Sequence, residues 1–185
     1  MYELMVSRKS RIQYLLSQTV SVFITALLNF FLILGLNLIV TNLCFSTAAP
    51  LTEQYQYLVP KAGSFAELFY QISPLAMELV YIILNALTIA LLAVLVIGIQ
   101  MIVRFPNRYI AFLVPFVILY AVNYAEGLFL ANKMQYNLSI VIQPRAASSL
   151  SACITSNDLL LVFGSLFIVD MVVLLTGFQR NKDAL

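Results

Sequence analysis

The sequence predicts an all-α, polytopic membrane protein with four transmembrane helices and both termini in the cytoplasm. Composition is the first reason: 62% of the 185 residues are hydrophobic and only 10% are charged, with a mean hydropathy of +0.97. Soluble domains sit near about half apolar and about a quarter charged. A water-soluble fold of this size would have to expose large apolar patches, whereas a bilayer is itself an apolar solvent. The second reason is that the apolar residues come in uninterrupted runs, and the third is that the basic residues gather between those runs in a one-sided pattern.

The chain reads as one transmembrane domain over residues 1–185. Its opening carries Arg8, Lys9 and Arg11 and gives way to a run over residues 15–44 without a charge. Roughly 20 apolar residues cross a bilayer, so this span is expected to tilt or protrude. It is too long for a signal peptide and lacks a small-residue cleavage site. Residues 45–74 form an outer connector punctuated by Pro50, Pro60, Gly63 and Pro74. Within it, Ser64 followed three residues later by Glu67 has the form of a capping box opening a short amphipathic helix through Tyr70. That helix is expected at the membrane interface, with Phe65, Phe69 and Tyr70 as interfacial aromatics.

The second span covers residues 75–103. Pro106 and Asn107 then turn the chain, and a third span follows over 109–126, where Pro115 is tolerated or kinks the helix. A second outer connector occupies 127–157; its apolar fragment Leu138 to Ile142 is too short to cross and reads as re-entrant or interfacial. The fourth span covers 159–178. With four spans, Arg8, Lys9, Arg11, Arg104, Arg108, Arg180 and Lys182 share one side, seven against the three of Lys61, Lys133 and Arg145. Basic residues collect in the cytoplasm, which puts both termini there.

Several chemistries have no residues to carry them. A net charge of +2 gives no basic surface for nucleic acid. Histidine is absent, which removes the Ser-His-Asp triad and the commonest metal ligand. None of the six glycines opens a phosphate-binding loop, and Cys44 and Cys153 are too few for a zinc site. No catalytic, metal or cofactor residue is identified, and an intramembrane enzyme is not expected. The two cysteines fall on the outer side, either as a disulfide or as free thiols. Asn137 to Ser139 has the form of a glycosylation acceptor.

Asp170 is the most unusual residue by position, inside the apolar fourth span. Insertion scales put a carboxylate there at about 2.5–3.5 kcal/mol, so it should face protein or water. It reads either as part of a pathway or polar site, or as a protonated acid bonded to a neighbouring helix. Glu78 and Glu126, near the outer ends of the second and third spans, either line an outward vestibule or reach headgroup water. Asn29, Asn37, Asn85 and Asn123 interrupt apolar runs, and such amides hold helices together.

The run from Ser7 through Val40, and above all Ser10-Arg11-Ile-Gln-Tyr14-Leu15-Leu16-Ser17-Gln18, resembles the segment after the first cytoplasmic loop of type-two ABC transporter permeases. There a basic string leads directly into a long helix, often with Lys where this chain has Gln18. The string from Asn107 to Tyr124 is similar to a later span of that group. The resemblance implies the permease subunit of an exporter in the bacterial cell membrane, driven through alternating access by a separate ATP-binding subunit. Glu3 to Arg11 would lie at the coupling helix, and Arg8, Lys9, Arg11, Arg104 and Arg108 would dock the ATPase. A second permease chain or a homo-oligomer is implied as a further partner. Those permeases have six spans and this chain matches the last four, so it is expected to be a truncated product, a piece of a split permease or a relative with another role. The alternatives are a non-transport membrane protein such as an immunity or scaffolding factor, and an ion- or proton-coupled carrier using Asp170, Glu78 and Glu126.

Overall fold

The computed structural model describes residues 11–44, 60–103, 108–129, 136, 138–142 and 153–182. All of their regular structure is helical, without a strand. In chain order the helices are α1 (Arg11–Cys44), α2 (Phe65–Tyr70), α3 (Pro74–Ile102), α4 (Arg108–Phe129), α5 (Leu138–Val141) and α6 (Ser156–Lys182). Three of them contain stretches long and apolar enough to cross a membrane: Gln13–Cys44, Pro74–Ile102 and Ser156–Arg180. The expected third span is a continuous helix, α4, of 22 residues. Arg8, Lys9, Arg104, residues 45–59 of the first connector and much of the second lie outside the described residues.

The helix starts are set by local chemistry. Ser73 caps α3, its hydroxyl oxygen accepting from the Ala76 amide at 3.0 Å, with Pro74 in the first turn where no amide is needed. At α6, the Asp158 carboxylate accepts from the Thr155 amide at 2.9 Å and the Thr155 hydroxyl at 2.7 Å. The Asp158 amide donates back to that hydroxyl at 3.4 Å, completing a capping box. The box expected at α2 forms only in part. Glu67 accepts from the amide of Gly63 instead, and the Ser64 hydroxyl caps nothing. The cause is the preceding turn: Ser64 N–H donates to Lys61 O at 3.0 Å, and Gly63 sits at φ +82°, the third-position geometry that suits glycine.

α3 is the hub. α1 and α6 pack along it, α2 lies across its first turns, and α4 touches it more sparsely. Its buried residues between Ala86 and Gly98 point to every side of the helix, because neighbours stand on more than one flank. Near the far end the α3 and α6 backbones come close. A Cβ on Gly98 would lie 2.8 Å from Val173 Cγ1 and 3.3 Å from the Leu174 amide nitrogen; one on Gly177 would lie 2.9 Å from Met101 Cβ. Small residues let apolar helices approach in this way. α1 is the periphery, with Thr19 its only buried side chain among those described.

At the opposite end the two connectors meet. Phe65 N–H donates to Ile154 O at 2.9 Å, tying α2 to the segment that leads into α6. α5 is a single turn whose Leu138 and Val141 are buried with Ile154, Leu159 and Val162. Asn85 donates to Ile142 O at 2.9 Å and to Tyr81 O at 2.8 Å. Asn85 is eleven residues past Pro74, about 16 Å along the helix at about 1.5 Å per residue, so the Leu138 to Ile142 fragment dips alongside α3. Phe65, Phe69 and Tyr70 turn inward rather than outward: Phe69 and Tyr70 cover Met77 and Tyr81, and Phe65 joins the α5 cluster. Leu68 and Ile72 are the apolar residues left exposed there.

Candidate functional site: a groove beside Asp170

α6 turns one stripe inward at helical spacing: Leu159, Val162, Leu166, Asp170, Leu174 and Gly177. Asp170 therefore occupies a core position, only 1% exposed, while Phe167, Ile168, Val169, Met171 and Val172 around it are exposed. Both of its carboxyl oxygens are buried with no hydrogen-bond partner.

Three hydroxyls on these helices are satisfied within their own helix, in a way that an ionised Asp170 cannot share. Thr19 donates to Leu15 O at 2.9 Å, Thr88 to Leu84 O at 2.8 Å, and Ser165 to Val162 O at 2.8 Å. A hydroxyl can donate to the carbonyl one turn back on its own helix. An ionised carboxylate only accepts, and the amides of a helix interior are already engaged with carbonyls. Left unpaired, such a group carries a desolvation penalty of about 1–3 kcal/mol or more.

Asp170 borders a cavity of about 520 Å³. Thr19, Val20 and Phe23 of α1 form one wall, Leu87, Leu91 and Val94 of α3 another, and Phe163, Gly164, Phe167 and Leu174 of α6 the third. A Cβ on Gly164 would meet nothing within 4 Å, so the cavity continues up to that backbone. Val20, Leu160, Phe167 and Met171 are exposed while lining it, which makes the cavity a groove open between α1 and α6. Asp170 is the only ionisable residue among the described residues that line it.

The other acids are not brought to this groove. Glu78 is exposed in the second turn of α3. It precedes Gly98, which abuts Val173, by twenty residues or about 30 Å, whereas Asp170 precedes Val173 by only about 5 Å. Glu126 belongs to the last turn of α4. Among the described residues no three acids, cysteines or histidines stand together as a metal set. Of the basic residues expected to dock an ATPase, Arg11 and Arg108 are the first residues of α1 and α4, and Arg8, Lys9 and Arg104 lie outside the described residues. Cys44 is exposed and Cys153 half-buried, both as free thiols. Asn29, Asn37 and Asn123 are exposed, and Asn85 ties α3 to the end of α5.

Asp170 stands out in the sequence as a charge in an apolar run; the walls of its groove do not. Phe23 and Phe163 are two of 13 phenylalanines, and only the packing of α1 and α6 on α3 brings them together. Compared with protein-family models, curated proteins and solved structures, the chain matches none.

Proposed function

We propose that the chain is a multi-pass protein of the cell membrane that acts as the permease subunit of an ABC-type exporter, powered by a separate ATP-binding subunit. The observation that carries the transport reading is the groove, an apolar recess between three membrane-length helices with one unpartnered carboxyl group. Ionisable residues held inside membrane helices mark substrate or ion pathways by default. α4 fits as a fourth span, since its 22 residues reach about 33 Å against a hydrocarbon core of about 30 Å. The coupling to an ATPase rests on the string from Ser10 to Gln18 and on the basic residues Arg8, Lys9, Arg11, Arg104 and Arg108.

A second copy of the chain completes the proposal. Gln18, Ser21, Thr25 and Asn29 recur at three- and four-residue intervals along α1, and all four are exposed. Each side chain both donates and accepts, so a parallel copy of α1 at the same depth offers each a matching partner. The same stripe would serve the alternative, a non-transport membrane protein that holds partners through its helices.

Affinity purification in mild detergent after crosslinking in cells separates the two readings. The exporter reading predicts that an ATP-binding subunit and a second copy are recovered with the chain. Recovery of the chain without any ATPase would overturn that reading and favour the alternative.

A further inference from the structure

We infer that the groove beside Asp170 binds a lipophilic cation, a compact apolar body carrying one positive charge, entering sideways between α1 and α6. The inference names the cargo class for the transport reading and rests on it to that extent. Binding itself is measured without any ATPase, so either can fail alone.

The size is right for a small molecule, since ligand pockets run about 300–1,000 Å³ and this one is about 520 Å³. Its walls are apolar, which selects an apolar body. Its one ionisable group is acidic, which selects the sign of the charge. An anion would meet no basic residue among the described residues that line the groove. A neutral lipophile would leave the carboxylate unpaired, as it is now. A cation supplies the missing partner in surroundings where charge pairs are poorly screened.

The aromatic content points the same way. Phe23 from α1 and Phe163 and Phe167 from α6 line the groove, and Asp170 stands among the lining residues with both carboxyl oxygens buried beneath its surface. Phenyl faces attract cations through their quadrupole, more strongly once water is excluded. Three such rings and one carboxylate are the components of a cation site, contributed by two different helices.

The route of entry follows from exposure. Val20 is 54% exposed, Phe167 49% and Leu160 73%, so the rim belongs to the outward faces of α1 and α6. In a bilayer those faces meet lipid, where a lipophilic cation concentrates. α3 closes the back with buried Leu91 and Val94.

The test uses purified full-length protein in nanodiscs of zwitterionic lipid, with radiolabelled tetraphenylphosphonium as the probe. Wild type is expected to bind it saturably, and neutral triphenylmethanol is expected not to compete. Asp170→Asn, which keeps the shape and removes the charge, is expected to bind at least tenfold more weakly. Gly164→Phe, placed where the backbone meets open space, is expected to abolish binding by filling the groove. Absence of saturable binding to wild type would overturn the inference, as would wild-type affinity in either variant. A third overturning result would be efficient disulfide-linked dimers of Val20→Cys, in a chain with Cys44→Ser and Cys153→Ser, undiminished by the probe. That outcome would give the groove to a helix of a second copy.

Discussion

α6 carries two buried aspartates twelve residues apart, and their surroundings are opposite. Asp158, 9% exposed, closes a capping box with Thr155 and satisfies the helix start. Asp170, 1% exposed, has no partner at either oxygen. The first is explained entirely by the fold: free amides exist at a helix N-terminus, and an acid there is both bonded and favoured by the helix dipole. The second is not explained by the fold, because a leucine at that position would continue the inward stripe of Leu159, Val162, Leu166 and Leu174. That contrast is the ground on which Asp170 is proposed as part of a cation site.

The comparison breaks most visibly in binding. Asp158→Asn should leave tetraphenylphosphonium affinity unchanged within about twofold, while Asp170→Asn should lose at least tenfold, read on the same nanodisc assay. Their stabilities should part in the opposite sense. Asp170→Leu removes an unsatisfied buried group and should raise resistance to denaturant, by about 1–3 kcal/mol if cavity and packing are otherwise kept. Asp158→Ala should lower it by about 0.5–2 kcal/mol, the usual cost of a lost N-terminal cap. Equal and negative shifts in both variants would mean that Asp170 has a structural partner after all.

The packing that presents the groove can be tested separately. Gly98→Val would force side-chain atoms into the Val173 and Leu174 backbone at the α3–α6 crossing. It should destabilise by about 1–3 kcal/mol, as overpacking does. Because the crossing sets how α6 leans on α3, probe affinity should fall with it. The smallest effect is expected at the other end, where Asn85→Leu removes the bond to Ile142 O. A loss of about 0.5–1.5 kcal/mol in stability, with probe affinity unchanged, would show that α5 and the connectors hold that end of the bundle without shaping the groove.

Much of this architecture was legible in the sequence because apolar runs of bilayer length have few other uses. The runs at 15–44, 75–103 and 159–178 correspond to α1, α3 and α6 within a few residues, and the third run, 109–126, to the helix α4. The starts of α3 and α6 extend beyond the runs because Ser73 and Pro74, and Thr155 with Asp158, are polar or breaking residues whose capping role hydropathy alone hides. Ser64 and Glu67 misled in the reverse sense: the spacing was right, but the turn at Gly63 took the Glu67 carboxylate. The inward roles of Phe65, Phe69 and Tyr70 were equally hidden, since an aromatic on a short helix can face lipid or protein. Asp170 was visible as a lone charge in an apolar helix. Its groove was not, because Val20, Phe23, Leu91, Phe163 and Gly164 are ordinary residues of membrane helices until three helices pack.

The most direct test of an aspartate kept unpaired for a ligand is ligand-induced thermal stabilisation, measured side by side on wild type and Asp170→Asn in the same nanodiscs. A ligand that binds only the folded protein raises its melting temperature as its concentration exceeds the Kd. Tetraphenylphosphonium should raise the melting temperature of wild type in a concentration-dependent way and leave that of Asp170→Asn unmoved. Equal shifts in the two proteins, or no shift in wild type, would contradict the account.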